Sequence, residues 1–120
     1  MNIKLLFITA ILTMLLSCNN DSSSDLITPT NNTVTIKYSS DIASIINGNC
    51  LNCHASPPSN GAPMQLTTYN DVKNAILTGS LIDRVSRAQG SGGMMPQAGM
   101  RLPQATIDKI IKWQTDGFVN

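Results

Sequence analysis

A chain of 120 residues holds one domain at most, and a formal charge of +1 offers neither a basic surplus for nucleic acid nor an acidic run for a cationic partner. Aromatic residues make up 4% of it, so whatever core it builds is small. Its reactive side chains are few: three cysteines and a single histidine.

Residues 1–17 run from one charge, Lys4, into the apolar segment "LLFITAILTMLL", which reads as a signal peptide. The run is about 12 residues, short of the roughly 20 a helix needs to cross a bilayer. Leu15-Leu16-Ser17-Cys18 resembles the bacterial lipobox. That resemblance implies cleavage before Cys18, lipid on its thiol and a membrane contact through the acylated amino terminus. Removing the signal takes Lys4 away, leaving Lys and Arg balanced against seven Asp with no Glu.

Residues 18–33 carry this cysteine and the stretch "NNDSSSDLITPTNNT", too polar to bury and therefore a flexible tether. The folded part is expected over 34–120. "VTIKY" suits a short extended piece. In "SSDIASIINGNC", Ser39 or Ser40 is a natural N-cap, and Ile42, Ile45 and Ile46 recur at helical spacing. Cys50 projects about 40° from Ile46, so this helix carries it toward the core.

The prolines and glycine of "ASPPSNGAPMQL" demand a loop. A second helix follows in "TTYNDVKNAILTG": Thr68 and Asp71 approximate a capping box, Tyr69, Val72, Ala75 and Ile76 share a face, and Gly79 marks the stop. Ser80 and Asp83 repeat that cap chemistry ahead of a short third helix bearing Leu81, Ile82 and Val85. "QGSGGMMPQAGM" is too rich in glycine for a helix. The closing helix has Pro103 as a first helical residue, Leu102 at the cap position and Gly117 beyond its end. Its apolar arc holds Ile107, Ile110, Ile111 and Trp113, while Asp108, Lys109, Lys112, Thr115 and Asp116 fill the other side. No convincing alternating strand follows Tyr38, and the fold class is all-α, with three to four short helices joined by long loops.

Cys50-Leu51-Asn52-Cys53-His54 fits the Cys-x-x-Cys-His signature of covalent haem attachment. One turn of chain lets both thiols reach the two vinyl groups of a haem c as thioethers, with the adjacent imidazole held against iron as the proximal ligand. Three plainer readings compete. A structural zinc site wants four ligands, and once Cys18 is taken by lipid the chain offers Cys50, Cys53 and His54 alone. A thioredoxin-type pair belongs on a strand and helix framework that is missing. A Cys50–Cys53 disulfide leaves His54 unexplained.

A second axial ligand is needed if the iron is to move electrons rather than bind small molecules. With no other histidine, the candidates are Met64, Met94, Met95 and Met100. The "GSGGMMPQ" loop stands out, because glycines let backbone approach a haem face and Pro96 stiffens the chain. Met94 and Met95 are neighbours, so in an extended loop only one of them binds iron.

The "DIASIINGNCLNCH" helix, the "TTYNDV" helix, the "MMP" loop and the "IIKWQTDG" helix together resemble a small class I c-type cytochrome domain in a bacterial lipoprotein. The resemblance spans roughly Val34 to Gly117. It implies a cytochrome c-like fold wrapped around one haem, with Met95, the methionine before the proline, as distal ligand. Met94 and Met100 are the alternatives. It also implies a Gram-negative setting, on the periplasmic side or at the cell surface. For the haem propionates, Arg84, Arg87, Arg101, Tyr69 and the Trp113 indole are the available donors, Arg84 and Trp113 foremost.

The function expected is that of a one-electron carrier, not an enzyme, meeting redox partner proteins near a membrane. A haem domain that binds or senses a small ligand is the first alternative, and an electron-transfer subunit of a larger oxidoreductase another. A non-haem thiol or metal module is the third.

Overall fold

A computed structural model of the chain describes residues 34–97 and 99–120, which belong to a compact unit, Thr33–Asn120. The expected signal peptide 1–17, the lipidated Cys18 and the tether to 33 lie outside the described residues. Among the described residues there are helices and no strand, as the sequence led one to expect of an all-α unit.

A π-helical turn, Tyr38–Ile42, runs straight into α1, Ala43–Asn49, and a single turn, α2, Leu51–His54, follows after Cys50. Then come α3, Tyr69–Leu77; α4, Leu81–Ser86; and α5, Gln104–Thr115. Helix α5 packs on both α4 and the π-helical turn, and α3 packs on α4.

The periodicities place the core where they should. Ile42 and Ile46 from the first helical segment, Val72 from α3, and Ile107, Ile110 and Trp113 from α5 are almost wholly removed from water. Leu66 and Leu102 join them from the loops. At the second helix the capping box forms as written: Asp71 N donates to Thr68 Oγ1 at 3.1 Å and Thr68 N to Asp71 Oδ2 at 2.9 Å.

Three termini depart from the reading of the sequence. The first helical segment begins earlier than expected, at Tyr38 with Lys37 as its N-cap, so neither Ser39 nor Ser40 caps it; the Asp41 carboxylate accepts the Lys37 N–H at 3.1 Å instead. Ser80 stands at the N-cap of α4 without a cap bond, because its hydroxyl faces Arg84 Nε and Asp83 is paired with Arg87. Pro103, not Leu102, is the N-cap of α5, and Leu102 is buried. At the other end Gly117, with φ at +84°, takes the left-handed turn that stops the helix.

The two ends of the described unit are stitched around one indole. Tyr38 N donates to Val119 O at 2.8 Å, Trp113 Nε1 donates to the same carbonyl at 2.8 Å, and Tyr69 Oη donates to Phe118 O at 2.6 Å. The rings of Tyr38, Tyr69 and Phe118 pack on Trp113 with centroids 5.5, 5.6 and 4.9 Å away. Asp116, expected on the solvent side, accepts the Ile36 amide at 2.8 Å and pairs with Lys112 at 2.8 Å. These two donors hold its carboxyl below the usual carboxylate range.

Trp113→Phe removes one of the two donors to the Val119 carbonyl and leaves part of a fully buried ring site unfilled, which is expected to lower unfolding free energy by about 2 kcal/mol in a urea titration. A change under about 0.5 kcal/mol contradicts the role given to this ring. A lowered acid contributes stability that is complete above its ordinary pKa and lost as pH falls through the lowered one. Stability is therefore expected to decline below about pH 4, and Asp116→Asn to flatten part of that decline. An acid limb identical in the two proteins would show that the carboxylate does not carry it.

Candidate functional site

Helix α1 ends at the first cysteine. Cys50 N donates to Ile46 O at 2.8 Å, and Cys50 O in turn accepts from Cys53 N at 3.1 Å and His54 N at 2.9 Å. The chain thus makes one further turn past Cys50, and residues three apart on a turn stand on the same side. Cys50 and Cys53 are both unpaired and half-buried. Cys50 packs against the core, as its angle from Ile46 predicts, and burial pushes its thiol up to about 11.

Cys53 is enclosed from the other side by the proline loop. Ser59 N donates to Cys53 O at 2.8 Å, Ser59 Oγ donates to Asn52 O at 3.1 Å, and Asn60 Nδ2 stands 3.5 Å from Cys53 Sγ. Asn60 holds φ at +52°, a left-handed turn that asparagine tolerates. The sequence announced a loop here but gave no sign that it folds back on the thiol.

His54 is fixed at two places. Its carbonyl accepts from Leu66 N at 2.8 Å, and its Nδ1 lies 2.7 Å from Met64 O. A carbonyl can only accept, so in the neutral ring Nδ1 carries the proton and Nε2 keeps its lone pair. The carbonyl that orients the imidazole belongs to Met64, the residue after Pro63. That placement is held in turn by the buried Leu66 and by Asp71, whose Oδ2 accepts from Gln65 Nε2, Thr67 N, Thr67 Oγ1 and Thr68 N. The Asp71 carboxyl meets some desolvation, yet these hydrogen bonds outweigh it and keep it below the usual range.

The methionines fall into distinct surroundings. Met64 serves through its backbone on the Nδ1 side of the ring, and its side chain is exposed. Met94 is buried, Met95 is half-buried against the core, and Met100 is 84% exposed. Met95 N donates to Arg84 O at 3.0 Å, which ties that residue to α4.

The expected propionate donors are committed elsewhere. Trp113 donates its indole N–H to Val119 O and Tyr69 its hydroxyl to Phe118 O. Arg84 Nη1 donates to Gly93 O at 3.2 Å, Arg87 Nη1 to Gly92 O at 2.5 Å, and Arg101 Nε to Arg87 O at 3.0 Å. All three arginines tie down loop carbonyls.

A groove of about 380 Å³ is lined by Met64, Gln65, Asp71, Asn74, Ala75 and Thr78. It borders the segment that supports His54 but none of Cys50, Cys53 and His54 lines it, so the reactive turn and the groove are separate features. Among the described residues no three of His, Cys, Asp and Glu gather into a set able to hold a metal ion. Comparison with known proteins gives no relative: no protein-family model matches the chain, and no curated protein or solved structure does.

In protein produced with both thiols free, Cys50 is expected to react with iodoacetamide at pH 8 about a hundredfold more slowly than an ordinary cysteine. Its labelling, followed by mass spectrometry of the tryptic peptide, should speed up steadily toward pH 10. A rate at pH 8 equal to that of the isolated peptide contradicts the burial.

Proposed function

We propose that Cys50, Cys53 and His54 carry one covalently attached haem c and that the chain is a one-electron carrier. The observation that bears most weight is the His54–Met64 hydrogen bond. In the neutral ring it leaves the Nε2 lone pair free and oriented, beside two unpaired thiols one turn apart. This donor set suits a wide ring bonded at its edge and gripped at its centre; three donors are one short of a structural zinc site, and a disulfide would leave His54 without a role.

On this reading Cys50 and Cys53 would hold the haem through thioethers, and His54 Nε2 and the Met95 sulfur would ligate its iron. A bound haem iron alternates between ferric and ferrous states and so stores one electron. With His54 and Met95 both holding the iron, no ligand place would remain for a substrate, which argues for a carrier over an enzyme. A neutral thioether favours the less charged iron state, and the surrounding core strengthens that preference. Cys50, half-buried on the core side, would keep one edge of the ring against Ile46 and its neighbours.

Membrane attachment rests on the sequence. The signal pattern and Cys18 account for the remaining cysteine: one thiol takes lipid and two take haem. The domain would then work on the periplasmic side or at the cell surface of a Gram-negative bacterium, tethered by residues 18–33. Its redox partners are proteins within reach of that tether.

The test is an absorption spectrum of protein exported by a host able to attach c-type haem. The expected result is covalent haem with a methionine–iron charge-transfer band in the oxidised state, lost in Met95→Ala and retained in Met94→Ala. Colourless protein, unmodified at Cys50 and Cys53, would falsify the assignment. Loss of the band in Met94→Ala alone would move the ligand by one residue.

A further inference from the structure

Residues 92–95 lie under two guanidinium groups. Arg84 grips this segment twice: its carbonyl accepts from Met95 N at 3.0 Å, and its Nη1 donates to Gly93 O at 3.2 Å. One residue of α4 therefore holds the chain on both sides of Met94. Arg87, one turn further along, places Nη1 on Gly92 O. It is itself steadied by Asp83 Oδ2, 3.1 Å from Nε and 2.7 Å from Nη2. Gly93 makes room for this arrangement. It holds φ at +74°, and a Cβ on it would run into the guanidinium groups of both Arg84 and Arg87.

From these contacts we infer that Arg84 and Arg87 form a clasp that positions the methionine loop and thereby governs how readily the distal iron position opens. The inference rests on the haem reading above and adds to it two positioning residues that do not touch the iron. The physical step is short. An external ligand competes for the distal position in the fraction of molecules in which the loop has swung away, so its apparent affinity scales with that fraction. The bonds that close the loop are charge-assisted on the guanidinium side and main-chain on the other. Both run to α4, which packs on α3 and α5. Loosening the clasp raises the open fraction without altering either axial ligand.

The haem-loaded protein is titrated with imidazole in the ferric state, and amide hydrogen exchange is read at Met95. Arg84→Gln, which leaves the Met95 N–H its carbonyl but loses the guanidinium, is expected to tighten apparent imidazole binding about tenfold and to speed Met95 exchange by a similar factor. Gly93→Ala, which forces both arginines off, should do at least as much. Arg84→Lys should recover part of the loss. Ile110→Val, a core change away from the loop, should lower the thermal midpoint while leaving imidazole binding unaltered, which separates loop positioning from general destabilisation. A haem-loaded protein in which Arg84→Gln and Gly93→Ala both keep parental imidazole affinity and Met95 exchange overturns the clasp alone. A parent protein without haem overturns the reading of the site beneath it.

Discussion

The hydrogen bond between His54 Nδ1 and the Met64 carbonyl is the constraint on which the candidate site depends. Its net energy is modest, about 1 kcal/mol in the usual range for such bonds, so its importance is geometric. It selects one tautomer and one ring orientation, and both are prerequisites for an imidazole that binds metal. The carbonyl is itself located by a chain of smaller commitments. Leu66 is buried and returns its N–H to the His54 carbonyl, and four donors from Gln65 to Thr68 converge on one oxygen of Asp71. The capping box that starts α3 is thus also the anchor that presents Met64 to the histidine.

The two loops that matter are held by opposite chemistry. The segment after His54 is held by an acid that accepts backbone and hydroxyl donors, and the methionine segment by arginines that donate to backbone carbonyls. Both devices answer the same problem. A small all-α unit with long loops has many main-chain groups that no helix pairs, and each needs a partner. Asp71 serves amide donors, and Arg84, Arg87 and Arg101 serve carbonyls. Behind them the knot of Tyr38, Tyr69, Trp113 and Phe118 joins the start of the described unit to its end, so the loops are tied to a frame that is itself fixed.

That demand for partners explains which parts of the structure were legible in the sequence. The apolar faces of α3 and α5 and the Thr68–Asp71 cap follow local spacing, and local spacing is visible. The turn that carries Cys50, Cys53 and His54 was equally plain, since it rests on five consecutive residues. What long-range pairing decides was not visible. Trp113 and Arg84 looked like free donors because their acceptors, Val119 and Gly93, are bare carbonyls that no pattern marks. Ser80 and Asp83 match a capping box in spacing, yet Arg84 and Arg87 claim them. Gly93 was read as a residue that lets backbone approach a haem; the room it makes is taken by two guanidinium groups. Met64 was weighed as a ligand through its sulfur, whereas its carbonyl is the part that reaches the histidine.

On the haem reading, these attachments also bear on the choice between a carrier and a ligand-binding domain. The two share one fold and one proximal histidine, and they differ in how often the distal thioether leaves. A thioether is a neutral, weak ligand, so its occupancy depends less on the bond to iron than on how little the loop gains by moving away. A free methionine side chain at the end of a mobile loop would yield to small competitors. Met95 is half-buried, its amide is bonded to α4, and the two residues before Met94 are held by guanidinium groups. The freedom released when the sulfur departs is therefore small, because the backbone around it stays in place. On that reading such a loop would favour a closed site and a carrier, and loosening the same arginines would favour ligand binding with the attachment turn unchanged.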